Sequence, residues 1–399
     1  MLINRRRFLQ VGSLASAAVM MPRFLKALER GHLVPPGNKV LVILQLSGGN
    51  DGLNTIIPYR NDIYYRMRPD LGLKREKALS LNDELGIHPA LTGLKALYDD
   101  GMLGVLNNVG YPNPDRSHFR SMDIWHTGSA AKDYWSDGWV GRYLDAQCSG
   151  CDKRAQALEI DDTLSLALKG ETAKGLALTD PNRLFGTSND KYFRELLQQH
   201  QEDGGHSHAD YLYKTMGETM ASAAYIQQQS RLYKTKETYP NTELGRNMKT
   251  IANLIMSDIS TKVYYVSHGS FDTHVGQQGQ QERLFHQLDE AVTAFTQDLK
   301  KNNRFQDVVL MTFSEFGRRV GQNASGGTDH GTANNMFLVG GGLQQKGILN
   351  EGPDLADLQD GDLKYTVDFK SVYATLLHKW LNADDQLILK AQYPHLSFI

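Results

Sequence analysis

Cysteine is scarce in this chain, 2 among 399 residues, so no disulfide framework holds the fold together. Neither sign of charge is in excess: 43 Lys and Arg stand against 45 Asp and Glu, a formal net charge of −2. A near-neutral balance speaks against nucleic acid as a partner, because such proteins carry a basic excess. There is no internal repeat, no cysteine set, no dinucleotide glycine fingerprint and no haem attachment motif, so a redox role finds no support. What is present is ordinary for a globular protein. Hydrophobic residues make up 40% and charged residues 22%, which excludes disorder as the main state. The length allows two to three domains or one large α/β domain with insertions. The 37 Gly and 13 His acquire meaning only by position.

The amino-terminal segment stands apart. Asn4-Arg5-Arg6-Arg7-Phe8-Leu9-Gln10 precedes a weakly apolar stretch, residues 11–21, rich in Ala, Ser and Met. That core, about 11 residues, is too short for a bilayer, which takes roughly 20. A basic end, an arginine pair before Phe-Leu and a short core have the layout of a twin-arginine export signal. Residues 1–34 are therefore expected to be signal and linker, with the twin-arginine translocase as a partner during export. The expected location is periplasmic or extracellular. A basic amphipathic helix that stays on the mature protein is the alternative. Pro35-Pro36-Gly37 marks the start of the mature domain, which without Arg5, Arg6 and Arg7 is more acidic than the whole chain. In an oxidising compartment Cys148 and Cys151 form a local clip or remain idle thiols, since no second pair completes a zinc site.

Short apolar runs ended by Gly, Ser or acidic residues predict buried strands at 40–46, 103–109, 155–160, 263–266, 308–313 and 336–339. Helical periodicity is read at 89–98, 243–257, 280–299 and 369–381. Strands alternating with helices give an α/β fold, a doubly wound, mostly parallel sheet flanked by helices. Residues 182–241 are polar and rich in Gln and His, and are expected to be a helical insertion in a single domain covering 35–399. His200, His206 and His208 in that stretch read as solvated.

In open α/β sheets ligands bind beyond the carboxyl ends of the strands. The first such exit is Ser47-Gly48-Gly49-Asn50-Asp51-Gly52-Leu53-Asn54-Thr55. Later ones are Ser267-His268-Gly269-Ser270-Phe271-Asp272-Thr273-His274 and Ser314-Glu315-Phe316-Gly317-Arg318-Arg319. A loop then brings Gly326-Gly327-Thr328-Asp329-His330-Gly331. Carboxylates and imidazoles without thiolate suit a divalent ion such as Zn, Mn, Mg or Ca. Each piece has a structural reading too: Asp51 as a turn residue, Asp272 as a helix cap, Glu315 paired with Arg318, Asp329 and His330 on a surface turn. A second constellation is Pro112-Asn113-Pro114-Asp115-Arg116-Ser117-His118-Phe119-Arg120. A helix starting near Ser117 would aim amide donors at an anionic group, with Ser117 as either nucleophile or simple cap.

Taken together these motifs resemble the bacterial domain-of-unknown-function family 1501, over essentially the whole mature chain. That family is grouped with the alkaline phosphatase and sulfatase superfamily, and its members frequently begin with a twin-arginine signal. The resemblance implies an alkaline phosphatase/sulfatase-like fold and a metal set of Asp51, Asp272, His274, Glu315, Asp329 and His330. It implies that the nucleophile slot, ahead of Thr127-Gly128, falls on His118 with Ser117 beside it. Glu315 and Phe316 stand where the superfamily has Asp and a ligand His, a loss that Asp329 or His268 would have to make good.

The expected function is an exported, metal-dependent hydrolase of phosphate or sulfate esters acting on an anionic ester or glycan. Ser117, His118 and Arg120 are the candidate catalytic residues, and Asn54, Arg116 and Arg318 the candidate substrate contacts. The rival is a non-catalytic protein of the same fold that binds an envelope glycan or a partner protein.

Overall fold

A computed structural model describes residues 38–147, 155–192, 195, 208–257 and 259–399. The expected export signal at 1–34, the cysteines Cys148 and Cys151, and His200 and His206 lie outside the described residues.

The central sheet contains Val40–Leu46 (β1), Leu103–Gly110 (β2), Ala157–Glu159 (β3), Leu176–Ala177 (β4), Val263–His268 (β5), Val308–Phe313 (β6), Asn334–Gly340 (β7), Gly347–Ile348 (β8) and Val367–Asp368 (β9). Its order is β8-β2-β7-β6-β1-β5-β3-β4, with β9 also paired to β2. The pairs are parallel except those of β7, which runs against both β6 and β2. The sheet is thus mostly parallel with one reversed strand. β3 is shorter than the apolar run around it because Ala155 sits at positive φ and breaks the extended backbone.

Side chains alternate across a strand, and β1 is buried on both sides. Val42 and Leu44 enter one apolar cluster, and Leu41 and Ile43 the other. The first cluster is closed by helices Thr92–Asp99 (α1), Glu243–Met256 (α2) and Gln277–Lys301 (α3), through Leu94, Ile251 and Phe285 among others. The second is closed by His118–Thr127 (α4), Trp139–Gln147 (α5) and Phe369–Thr375 (α6), through Trp125, Trp139 and Tyr373. In α2 apolar residues recur at helical spacing, Leu244, Met248, Ile251 and Ile255, and Thr242 caps the first turn by accepting from the Gly245 amide. After Thr375 the expected long helix becomes a π-turn, Leu376–Trp380. In the polar stretch, helix His208–Ser230 packs against Pro181–Ser188 and α2. Among the described residues no helix is long and apolar enough to cross a membrane.

This topology decides where the chemistry collects. The carboxyl ends of β1, β2, β5 and β6 share one edge. Because β7 is reversed, its amino end, led in by residues 326–333, reaches the same edge.

Two buried histidines make the fold acid-sensitive. Burial pushes His88 and His126 down to about 4, helped for His88 by the neighbouring His286. His88 Nδ1 accepts from the Ala90 amide at 3.1 Å, which requires the neutral ring. An unfolded imidazole takes its proton near pH 6.5, whereas these two hold out until about 4. Their stabilisation is therefore complete above pH 6.5 and is lost as pH falls towards 4, on the order of 2–3 kcal/mol each. Denaturant midpoints measured from pH 7 to 4 should fall, and His88→Asn, which keeps an acceptor for Ala90, should show a shallower fall than the wild type.

Candidate metal centre

The loops at this edge meet backbone to backbone. Gly48 and Gly49, just after β1, have φ of 119° and 78°. A Cβ on Gly48 would lie 2.4 Å from the Asp272 amide nitrogen, and one on Gly49 2.3 Å from the Phe316 ring. Only glycine permits both the dihedrals and the approach.

Arg318 ties these loops together. Its guanidinium is fully buried and donates to the carbonyls of Gly49 (2.6 Å), Thr328 (2.8 Å), Phe271 (3.0 Å) and Gly48, and to Asp272 Oδ1 at 2.7 Å. The sequence expectation that Arg318 contacts substrate is therefore corrected: its nitrogens are already committed within the protein.

Around Asp272 the structure gathers three imidazoles. Asp272 Oδ1 lies 3.0 Å from His274 Nε2 and 3.1 Å from His330 Nε2, which are themselves 2.9 Å apart. His118 Nε2 lies 3.4 Å from Asp272 Oδ2. Behind each ring an oxygen receives the other nitrogen. His118 Nδ1 meets Glu315 Oε1 at 2.9 Å, His274 Nδ1 meets Asp329 Oδ1 at 3.2 Å, and His330 Nδ1 meets the Arg116 carbonyl at 2.8 Å. Those partners assign the proton to Nδ1 in each ring and leave the Nε2 lone pairs facing the common centre. This is the arrangement in which a carboxylate or carbonyl orients a metal-binding histidine.

Whether the residues fit a cation can be asked of the atoms themselves. His118 Nε2 is buried and has no hydrogen-bond partner. Two unprotonated imidazole nitrogens 2.9 Å apart repel unless a proton or a cation lies between them. Three imidazoles and one carboxylate are a donor set suited to Zn²⁺ or a similar divalent ion. The residues fit.

Partial burial works against the Asp272 carboxylate, but the Arg318 hydrogen bond and charge, with the contact to His330, outweigh that and hold its carboxyl at about 2. The hydrogen bond to Glu315 raises His118 above the ordinary imidazole value. Asp329 is lowered, chiefly by its hydrogen bond from Asn323.

The remaining expected site residues are distributed as follows. Glu315 and Asp329 stand behind the imidazoles rather than at the centre. Asp51, expected as a ligand, gives both carboxylate oxygens to the fully buried Arg68 (2.6 and 3.0 Å) and also accepts from Gln277. Asn54, expected at the substrate, accepts from Tyr64 and Arg68 and donates to the Leu71 carbonyl, so it supports that same pair. Arg120 turns away, donating to the carbonyls of Ala131 and Asp133 and stacking over Tyr134. Arg116 is paired with Asp362 but remains partly exposed. Ser117 is the exposed N-cap residue of α4 and makes no capping hydrogen bond with its side chain. Phe316 lies under His330 and His118, its ring centre 4.5 and 4.9 Å from theirs. His268 does not make good the missing ligand: it is buried against Phe271, and its Nε2 meets the Leu284 carbonyl.

A cavity of about 460 Å³ opens beside the cluster, lined by Tyr111, Arg116, Glu315, Phe316, Lys364 and Tyr365 among others. A larger one, about 730 Å³, lies around Arg60, Glu84 and Glu351 and contains none of the clustered residues.

The chain belongs to the DUF1501 family. The model of that family, described as proteins of unknown function, matches residues 38–394. No curated protein matches the chain. Among solved structures it is similar to the C-terminal periplasmic domain of EcEptC from Escherichia coli, with 12% identity, 88% of this chain and 86% of that chain covered and a TM-score of 0.41. It is also similar to the phosphonate monoester hydrolase SpPMH from Silicibacter pomeroyi (9%, 89% and 77%, 0.41). The PsFucS1 sulfatase from Pseudoalteromonas sp. is a third (10%, 90% and 70%, 0.40).

The motif reading picked out Asp272, His274, His330 and His118. It passed over Arg68, which lies in an unremarkable Tyr-Arg-Met-Arg stretch, and it misread what Arg318 does. In this DUF1501 chain Asp51 and Arg68 form a buried ion pair, and removing one partner of such a pair costs about 3–5 kcal/mol. Asp51→Asn should lower stability by about that amount in denaturant unfolding while leaving the content of bound divalent metal unchanged. Loss of metal without loss of stability would return Asp51 to the ligand set.

Proposed function

We propose that this protein is an exported, metal-dependent hydrolase of phosphate or sulfate esters. The observation that carries the reading is the convergence of three imidazole Nε2 atoms on Asp272, each ring oriented by an oxygen behind it. The motif resemblance and the arginine pair near the amino terminus support it.

His118, Asp272, His274 and His330 would hold the cation. When bound, it would supply Lewis-acid polarisation of an ester oxygen and lower the pKa of a coordinated water. The rest is done by the chain. Glu315, Asp329 and the Arg116 carbonyl keep the imidazoles in the ligating tautomer. Phe316 forms an apolar floor that excludes water from beneath His118 and His330. Ser117, next to His118, offers an exposed hydroxyl free of capping duty and is the side-chain nucleophile in this reading. Arg116, paired with Asp362, and Lys364, paired with Asp357, line the adjoining cavity, and an anionic ester or glycan would compete with those carboxylates for them.

One observation favours a second reading. Glu315 raises His118 above the ordinary imidazole value, and a protonated ring there would let the cluster bind an anion without metal or catalysis.

Metal analysis of the purified full chain, with turnover of aryl phosphates and aryl sulfates, separates the two. The expected result is divalent metal bound at this cluster in the wild type, with one equivalent lost together with hydrolysis in Asp272→Asn and His330→Ala. Glu315→Gln should weaken metal affinity about 10–100-fold, as loss of an orienting partner does. Ser117→Ala should retain metal and lose turnover. A wild-type chain that binds phosphate, carries no metal at this cluster and hydrolyses neither ester leaves the anion-binding reading standing.

A further inference from the structure

We propose that the chain carries a second divalent-cation site, formed by His378, Asp385 and His395 at its carboxyl-terminal end. It shares no residue with the cluster at the sheet edge and does not depend on that cluster's function. His378 lies in the π-turn Leu376–Trp380, Asp385 begins the short helix Asp385–Leu389, and His395 lies in the segment that follows. One ligand atom from each comes within 4.8 Å of the others.

Three features point to a cation rather than to a chance surface group. The Asp385 carboxylate is buried, with 5% of its side chain exposed, and its ion-pair partners among the described residues are the two imidazoles alone. A buried carboxylate needs a compensating positive charge. Its two oxygens are divided between the rings, Oδ2 at 3.0 Å from His395 Nε2 and Oδ1 at 3.5 Å from His378 Nδ1. The rings are stacked, 4.6 Å between centres and 21° between planes. Two imidazolium ions would repel in that stack, so at most one ring carries a proton charge when no cation is bound, and a shared ion would take His378 out of the stack. The π-turn, a rare local geometry that recurs at functional sites, carries His378 to this position.

Two nitrogens and one oxygen, with the His378 side chain 57% exposed and free to close, suit Zn²⁺ completed by water. The ion would fasten three segments. The tail is already docked there: the Leu396 amide donates to Thr375 Oγ1, Lys379 Nζ donates to the carbonyls of Leu396 and Ile399, and Phe398 is buried. The site is thus a structural clasp with an open, water-facing side.

The experiment is a zinc titration of the chelator-stripped full chain by calorimetry, with Co²⁺ absorption as a second probe. His330→Ala, which removes a ligand of the sheet-edge cluster, should still take up an equivalent of zinc and be raised in melting temperature by it. The double variants His330→Ala/His395→Ala and His330→Ala/His378→Ala should take up one equivalent fewer and lose the thermal shift that goes with it. These side chains are at the surface, and circular dichroism checks that the variants remain folded. Zinc uptake and thermal shift unchanged by His378→Ala and His395→Ala overturn the proposal. So does absence of uptake by His330→Ala, in which case the cluster is a proton-held clasp. Failure of the sheet-edge hydrolase reading leaves the outcome untouched, because the readout is the difference that His378 and His395 make within one His330→Ala background, whatever zinc the remaining sheet-edge ligands keep.

Discussion

The structure of the candidate site depends on one buried guanidinium. Arg318 donates to four backbone carbonyls, from Gly48, Gly49, Phe271 and Thr328, and to the carboxylate of Asp272. Those acceptors come from three loops that are far apart in sequence. Burying a guanidinium costs several kcal/mol unless its donors are satisfied, and here the satisfaction is what draws the loops together. A lysine could not replace it, since one ammonium cannot face acceptors spread around a plane. The glycines follow from the same constraint: with Arg318 holding the carbonyls inward, no Cβ fits at Gly48 or Gly49.

The second constraint is topological. Residues from parallel strands reach one edge because their carboxyl ends coincide, but Asp329 and His330 precede a strand. They arrive because β7 is reversed between β6 and β2. Had β7 been parallel, the same sequence would have placed His330 at the opposite edge, about 20 Å away for a strand of this length. The single antiparallel strand therefore belongs to the site as much as any ligand does.

Much of this was legible in the sequence. Continuous apolar runs gave β1 and β6 to the residue, because strands covered on both faces have no polar side to blur their ends. The motifs at their exits brought Asp272, His274, His330 and His118 into consideration, and the structure puts them together. What was not legible is which carboxylates face the centre. Asp51, Glu315 and Asp329 look alike in sequence, and their difference lies in contacts across 17, 197 and 55 residues, to Arg68, His118 and His274. Arg68 carries no local signal because its partners, the carbonyls of Arg319 and Val320 included, are distant in the chain. Arg318 was visible as a charge, but whether it serves substrate or backbone is decided only by burial.

The cluster and its supports contain three carboxylates, Asp272, Glu315 and Asp329, against one guanidinium, Arg318, which leaves two negative charges among neutral imidazoles. Solvent carries part of that excess, since Asp272 and Asp329 are about half exposed, and either protons or one divalent ion would meet the rest. Two protons would have to be shared among rings whose Nδ1 positions already donate. They would have to occupy Nε2 atoms that crowd one centre, with His274 and His330 only 2.9 Å apart there. A first such proton can bridge those two nitrogens; a second falls to His118, whose Nε2 faces Asp272 Oδ2 at 3.4 Å without forming a hydrogen bond. A divalent ion meets the same charge with no such conflict, since each Nε2 then presents a lone pair. The tautomers set by Glu315, Asp329 and the Arg116 carbonyl favour the cation, and the oxygens behind the imidazoles matter as much to that choice as the imidazoles themselves.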